Sequence, residues 1–197
     1  MVGNNSSTGG YLTPSANNPL EDNDLEDLFH DLFTNITGLA PSLVRPRWVV
    51  TPGNLPDNGV NWIAQGITNR KEDVVASQIY KEGIGIIVNR NEELDILVSI
   101  YGTNNTSYYT ILRDGLSLDQ NREYINRQGV VLVAVGNPRN TSELVNNHWV
   151  KRTDVVITFR RLVARVYPVL SLLAGDVDLY IESELREIIE HIHVDHS

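Results

Sequence analysis

Apolar and polar residues alternate along the segment from residue 92 to residue 102. Every second position in its centre carries a large aliphatic side chain: Leu94, Ile96, Val98 and Ile100. A period of two in a segment rich in β-branched residues predicts a strand with one fully apolar face. We expect Asp95 and Ser99, which lie between these positions, to face a more polar side. Gly102 and the polar residues after it end the strand.

A helical period appears earlier, after a polar N-terminus. Residues 1–18 are rich in Asn, Ser, Gly and Thr, a composition that predicts a flexible arm. From residue 20 the apolar side chains recur at helical spacing: Leu25, Leu28, Phe29, Leu32, Phe33 and Ile36. Acidic residues occupy the first turns, where the positive end of the helix dipole favours them. Gly38 and Pro41 are expected to end this helix.

The next segments predict strands and turns. Residues 45–60 contain three prolines, which restrict them to an edge strand and a long loop. Residues 61–68 alternate as a strand does, and residues 69–73 read as a charged turn. Residues 76–88 form a further strand, joined to the 92–102 strand by a hairpin turn at 89–91.

Two helices and further strands complete the pattern. Residues 105–116 predict a helix ending at Gly115, and residues 119–127 predict a second helix. The side chains expected to face inward are Tyr108, Ile111, Leu112, Tyr124 and Ile125. The continuously apolar residues 130–135 predict a strand covered on both faces. Residues 149–166 predict the longest strand.

This order of elements predicts an α+β fold, a mostly antiparallel sheet packed by helices, with an N-terminal helix and flexible termini. Strict βαβ alternation is missing, which argues against a dinucleotide-binding fold. We expect three parts along the chain: the arm (1–18), the α+β domain (19–173) and a C-terminal extension (174–197).

Charge and composition limit the functions to consider. The net charge of −9 makes free nucleic acid an unfavourable partner, because an acidic surface repels phosphate. The chain has no cysteine, so disulfides, thiolate metal sites and a cysteine nucleophile are excluded. No apolar run is long enough to span a membrane, and the N-terminus lacks the pattern of a signal peptide. We therefore expect a protein made and kept in a cytoplasm.

Three groups of residues offer candidate chemistry. His191, His193 and His196 with Asp195 could bind a metal, but a solvated terminus is the favoured interpretation because it lacks supporting ligands. Carboxylates such as Asp95 and Asp154 could act as an acid–base pair, yet chance proximity explains them better. No catalytic motif occurs, so we expect no catalytic residue, no metal site and no cofactor.

Basic residues along the last long strand form the third group. A phosphate-binding stripe is one interpretation, and ion pairing with acids of the same or a neighbouring chain is the favoured one. Arg160 and Arg161 are adjacent, so on a strand they point to opposite faces. Pairing across an assembly interface would fix register and orientation more than it would raise affinity.

The order of several short motifs carries a resemblance to a known family. These motifs are RPRW at 45–48, NWIAQGIT at 61–68, EELDILVSIYG at 92–102, LRDGL at 112–116, NRE at 121–123, ELVNNHWVKRTDVVITFRR at 143–161 and YPVL at 167–170. The series resembles the neck terminator, or tail terminator, proteins of contractile-tailed bacteriophages. The resemblance covers about residues 20–173.

The resemblance implies a structural virion protein without enzymatic activity. It implies a homohexameric ring that caps the tail tube at the neck, stops tail growth, anchors the sheath and joins the tail to the head connector. The implied partners are further copies of the chain, the tail tube protein, the tail sheath protein and the head–tail connector proteins. DNA would pass through the lumen without specific binding, and no membrane is involved. Assembly would take place in the host cytoplasm.

We expect interface residues among the arginines and one tryptophan of the matching motifs: Arg45, Arg47, Trp48, Arg152, Arg160, Arg161 and Arg165. Two alternatives stay open from the sequence. One is another head–tail joining protein, a connector adaptor or a stopper. The other is a small metal-dependent enzyme that uses the C-terminal histidines.

Overall fold

The computed structural model describes residues 4–5, 7–15, 19–48, 54–57, 59–145 and 148–170. Three α-helices cover one face of a seven-stranded mixed sheet that is mostly antiparallel and not closed, which confirms the α+β prediction. The C-terminal extension, its histidines and the strand expected at 177–181 lie outside the described residues.

The helices begin and end close to the predicted positions. They are α1 (Asp22–Thr37), α2 (Asn105–Ser117) and α3 (Asp119–Arg127), with a 3-10 turn at Pro41–Leu43. Gly38 ends α1 in the left-handed conformation, with φ +68°, and its N–H bonds to the Thr34 carbonyl. Gly115 lies inside α2 instead of ending it. A Cβ at Gly115 would collide with Ile36, so the glycine allows α1 and α2 to approach closely.

The strands are β1 (Val44–Pro46), β2 (Trp62–Glu72), β3 (Ser77–Lys81), β4 (Gly85–Tyr101), β5 (Val130–Val135), β6 (Arg139–Val145) and β7 (His148–Tyr167). Their order is β1-β2-β4-β7-β5. β3 pairs with the first part of β4, and β6 pairs with the first part of β7. Among the described strands only β1 and β2 pair in parallel, and β1 forms an edge of this sheet as its proline predicts.

The core lies between the helices and the apolar face of the two central strands. The four aliphatic side chains of the predicted strand are fully buried there: Leu94, Ile96, Val98 and Ile100. Phe29 of α1 packs against Phe159 of β7, with 5.0 Å between the ring centroids. Leu112 and Ile125 bring α2 and α3 into the same cluster. The predicted strand thus holds the middle of the sheet, and its apolar face meets the helices as expected.

Two predicted turns were wrong because sheet pairing extends through them. Residues 89–91 do not turn: they pair with residues 162–164 of β7 inside the 17-residue strand β4. The hairpin turn lies at 82–84, where Gly83 has φ +73°. Residues 69–72 continue β2 and pair with β4. Polar side chains are compatible with a strand here because neighbouring strands satisfy the backbone groups.

Three inward-facing predictions were also wrong. Ile111 and Tyr124 are exposed on the helices. Val131 and Val133 are about half exposed, so β5 is not covered on both faces. β5 is an edge strand of the sheet that the described residues form, and the apolar run alone does not reveal that no described segment covers one of its faces.

Candidate functional site

The side of the sheet that faces away from the helices is one candidate surface. Among the described residues no helix packs on it, since α1, α2 and α3 all join the core cluster on the opposite side. We call this surface the open face. It is formed by alternate residues of the three central strands: Trp62, Ala64, Gly66, Glu93, Asp95, Leu97, Ser99, Tyr101, Arg152, Asp154, Val156, Thr158 and Arg160.

Arg47 and Trp48 lie on the open face because the chain leaving β1 crosses β2. The Arg47 backbone N–H donates to the Gln65 carbonyl at 2.7 Å. The Trp48 ring rests on Gly66, where a Cβ would lie 2.8 Å from the indole Cζ3 atom. A side chain at position 66 would therefore displace the indole. Trp48 is nevertheless 58% exposed, so its other side faces solvent.

The Arg47 guanidinium joins a polar chain across the sheet. It donates to the Ser99 hydroxyl, which in turn donates to the Asp154 carboxylate. Arg47 forms no ion pair with any described residue, and its Nε is buried without a hydrogen-bond partner. Arg47 is partly exposed, so its charge, which pairs directly with no described carboxylate, is available to an acidic group of another molecule.

Arg45 and Arg152 organise the two borders of the open face. Arg45 donates to the Ser42 carbonyl at 2.9 Å and to the Asn54 carbonyl at 2.7 Å, so it fixes the start of the loop that follows residue 53. Arg152 pairs with Glu143 at 2.6 Å and with Asp154 at 2.9 Å. These contacts of Arg45 and Arg152 are all made within the chain.

Arg160 and Arg161 point to opposite sides of the sheet, as adjacent strand residues must. Arg160 pairs with Glu93 on the open face, and its side chain is 58% exposed. The side chain of Arg161 is only 4% exposed, on the helix side. Its guanidinium lies 2.9 Å from both Glu92 and Glu21, at the start of α1. The Arg161 pair therefore belongs to the fold.

Glu21 collects three arginines. Arg70, Arg161 and Arg165 lie 3.1, 2.9 and 2.9 Å from its carboxylate. Burial opposes ionisation of Glu21, but the hydrogen bonds from Arg70 and Arg161 outweigh it and lower the pKa of the carboxyl. The favoured prediction of ion pairing for the basic residues is confirmed within the chain for Arg152, Arg160, Arg161 and Arg165.

Asp95 and Asp154 share the open face but do not act as a pair of acids. Asp95 accepts from the Thr158 hydroxyl at 2.7 Å and from the Asn69 amide at 3.1 Å. These two hydrogen bonds lower the pKa of Asp95. Asp154 is held separately by Ser99 and Arg152. The charged form of Asp95 is thus stabilised, which does not suit a general acid.

One pocket was not predicted. Trp62 and Tyr101 stack with their ring centroids 4.1 Å apart and their planes 4° apart. Together with residues 54–57, 59 and 60, Glu143 of β6 and Val150 of β7, they line a cavity of about 560 Å³. We call it the Trp62 pocket. The Trp and Tyr positions were visible in the sequence, but the register that opposes residue 62 to residue 101 was not.

A second unpredicted feature is an apolar segment at the other end of β4. Five large apolar side chains are exposed within residues 74–84: Val74, Val75, Ile79, Tyr80 and Ile84. A run of valines next to charged residues was the available signal. Because the hairpin turn was predicted at residues 89–91, residues 76–88 were predicted to form one strand. The exposure of these side chains was therefore not predicted.

Within the part of the chain that the structure describes, no three His, Asp or Glu side chains are grouped so that they could hold a metal ion. None of the described helices has the length and apolarity needed to cross a membrane.

Comparisons with known proteins give one informative match. The family model described as "Phage neck terminator protein" matches residues 23–184. Among curated proteins no match was found. A chain of the solved structure "Virion of native gene transfer agent (GTA) particle" matches with 16% sequence identity and a TM-score of 0.25, covering 68% of this chain and 84% of that chain. This last likeness is too low to carry an inference.

Proposed function

The chain belongs to the phage neck terminator family, and from that premise we propose that it forms a homohexameric ring that caps the tail tube. Membership identifies a structural protein of the phage neck. The proposal adds that the ring stops tail growth, anchors the sheath of a contractile tail and joins the tail to the head connector. The family match over residues 23–184 is the observation that carries it.

The open face supports a role in assembly. A ring subunit needs two different surfaces that meet head to tail and close by rotation. Trp48 and Arg47 lie side by side on the open face, Trp48 with a side chain that is 58% exposed and Arg47 with a partly exposed guanidinium that pairs with no described carboxylate. Trp and Arg are the residue types most often found as energetic anchors of interfaces. We assign them the central contact.

The other expected interface residues divide by their contacts. Arg160 and Arg152 lie on the open face, where their ion pairs can rearrange when a neighbour binds. Arg45 acts indirectly by fixing the loop. Arg161 and Arg165 hold the start of α1 against β7. We therefore propose that Arg152 and Arg160 contribute to the interface directly. We propose that Arg161 and Arg165 stabilise the fold.

The charge of the chain suits a ring through which DNA passes. A net charge of −9 gives a lumen that repels phosphate, so DNA slides without specific binding. The proposed partners are further copies of the chain, the tail tube and sheath proteins, and the head connector. We further propose assembly in the host cytoplasm and the three-part division at residues 18/19 and 173/174.

The test is to produce particles with and without the chain. With it, we expect tails of uniform length with the chain located in the ring at their upper end. Without it, we expect tails of variable length that fail to join heads. Uniform, head-joined tails in its absence would refute the proposal. A ring on the portal side of the neck would instead identify a connector adaptor or stopper.

A monomer in solution would leave the proposal standing, because a ring of this kind can form on the tail alone. The matched control is the same deletion complemented by the full chain, which should restore uniform tails. Light scattering on the purified chain then reports only whether the ring also forms without the tail.

A further inference from the structure

Residues 74–84 form an apolar projection, which we call the β3 tip. All five residues of β3 are exposed, and the strand pairs with the first part of β4. Ile79 and Tyr80 are adjacent and both about half exposed, so both faces of this strand are uncovered. Val74 is 96% exposed. An apolar cluster of this kind on a folded chain marks a surface for another molecule.

β4, the strand that pairs with β3, has the β3 tip at one end and the Trp62 pocket at the other. The floor of the pocket is the stacked pair Trp62 and Tyr101, and its rim includes Leu55, Val60 and Asp57. The cavity of about 560 Å³ is within the range of sites that hold a ligand. Leu55 is 58% exposed, so the rim presents an apolar side chain that no described residue covers.

The tip and the pocket of one chain cannot meet. β4 starts next to the tip at Gly85 and ends in the pocket at Tyr101. A strand of that length spans on the order of 50 Å. Two complementary surfaces at opposite ends of a rigid subunit make a head-to-tail contact between copies, the kind that closes into a ring.

The chemistry of the two surfaces is complementary. Ile79 and Tyr80 offer apolar surface, and Lys81 adds an ammonium group at the end of β3. The pocket offers the partly exposed Trp62 ring for the apolar groups and for a cation, whereas the Tyr101 ring is already contacted by Trp62 and Arg152. The pocket also offers the Asp57 carboxylate, which forms no ion pair within the described part of the chain. We propose that the β3 tip of one copy inserts into the Trp62 pocket of the next copy.

This inference rests on the proposed ring and names one of its contacts. The occupant is a second copy, because the ring supplies a tip for every pocket and the chain carries both partners. A peptide from another virion protein is the competing occupant. Only if the occupant is a second copy can a covalent bond at the pocket join two molecules of this chain.

The absence of cysteine from the sequence allows a clean test. Tyr80→Cys and Leu55→Cys place one thiol on the tip and one on the rim, both at exposed positions. The full chain with both substitutions is oxidised, first purified and then in assembled particles, and analysed on a non-reducing gel. The matched control replaces Tyr80→Cys by Leu118→Cys, an equally accessible site between α2 and α3.

Each outcome decides the inference. We expect the doubly substituted chain to give a ladder of covalent oligomers, and a mixture of the two singly substituted chains to give dimers only. If neither the purified chain nor the particles gave a ladder, the proposed contact would be refuted. Dimers from Tyr80→Cys alone would show that two tips meet, which also overturns it. A disulfide between the Leu55→Cys thiol and a cysteine thiol of another virion protein would identify the competing occupant and overturn the contact.

The failure of the contact and the failure of the ring are distinguishable. Particles that contain the chain at the neck but give no ladder refute the contact and leave the proposed function intact. Particles that lack the chain at the neck refute the proposed function, and a ladder from the purified chain would then still establish the contact.

Discussion

Replacing Arg161 by methionine tests whether the buried ion-pair network holds α1 to the sheet. The Arg161 side chain is 4% exposed, as is that of Glu92, and their closest atoms lie 2.9 Å apart. Removing one partner of a buried pair costs about 3–5 kcal/mol of unfolding free energy, because it leaves the other charge uncompensated. Arg70 lies 3.5 Å from Glu92 and retains part of the attraction. We therefore expect a loss of about 3 kcal/mol, at the lower end of that range.

The assay is urea unfolding followed by far-ultraviolet circular dichroism at neutral pH. Arg160→Met is the matched control, since the two residues are adjacent on one strand and differ mainly in burial. Arg160 pairs with Glu93 in solvent, with 58% of its side chain exposed, so its loss should cost less than about 1 kcal/mol. Equal losses for the two variants would refute the reasoning.

A double variant separates an uncompensated charge from lost packing. Arg161→Met combined with Glu92→Leu removes both buried charges and keeps apolar volume in their place. It should recover most of the stability lost by Arg161→Met alone, because paired charges in an interior can be replaced by apolar groups at little net cost. Glu21 keeps Arg70 and Arg165 in that variant. A double variant less stable than the single one would show that packing, not charge, is responsible.

Three further predictions follow from single positions. Val98→Asp should abolish cooperative unfolding, because it places a charge at a fully buried site. The control Leu97→Asp, on the open face, should leave a folded chain. A folded Val98→Asp protein would contradict the strand assignment. The pKa of Glu21 is lowered from its ordinary value of 4.5, so its stabilisation is present above that pH and lost as the pH falls through the lowered value. The stability difference between the wild type and Glu21→Gln should thus shrink as the pH falls below about 4.5, and a difference independent of pH would count against it. Arg47→Gln should reduce incorporation into particles with little change in the urea midpoint, whereas Arg113→Gln, exposed on α2 beside Asp114, should affect neither; normal incorporation of Arg47→Gln would remove it from the interface.

The local patterns of this sequence determined most of the elements. The helical spacing from Leu25 to Phe33, with Gly38 after it, defined α1, because an apolar stripe and a left-handed C-cap are local requirements. The alternation from Leu94 to Ile100 likewise defined a strand and its buried face. The motif order also predicted the family that the comparison confirmed.

Tertiary structure decided the features that depend on pairing between distant residues. Residues 89–91 are polar enough for a turn, yet β7 supplies their backbone partners and keeps them extended. Register also decided which arginine is structural. Arg161 faces Glu92 and the start of α1, while Arg160 faces solvent, and no local pattern distinguishes the two.

The same dependence explains why the candidate surfaces could be predicted only in part. The sequence by itself singled out Arg47 and Trp48 through the motif order, and it fixed that residues such as Arg160 and Arg161 must point to opposite faces. Only the assembled sheet shows that none of the described helices packs on one of its faces and that Trp62 stacks on Tyr101. Periodicity is a local property, whereas coverage and register are set by segments far away in the sequence.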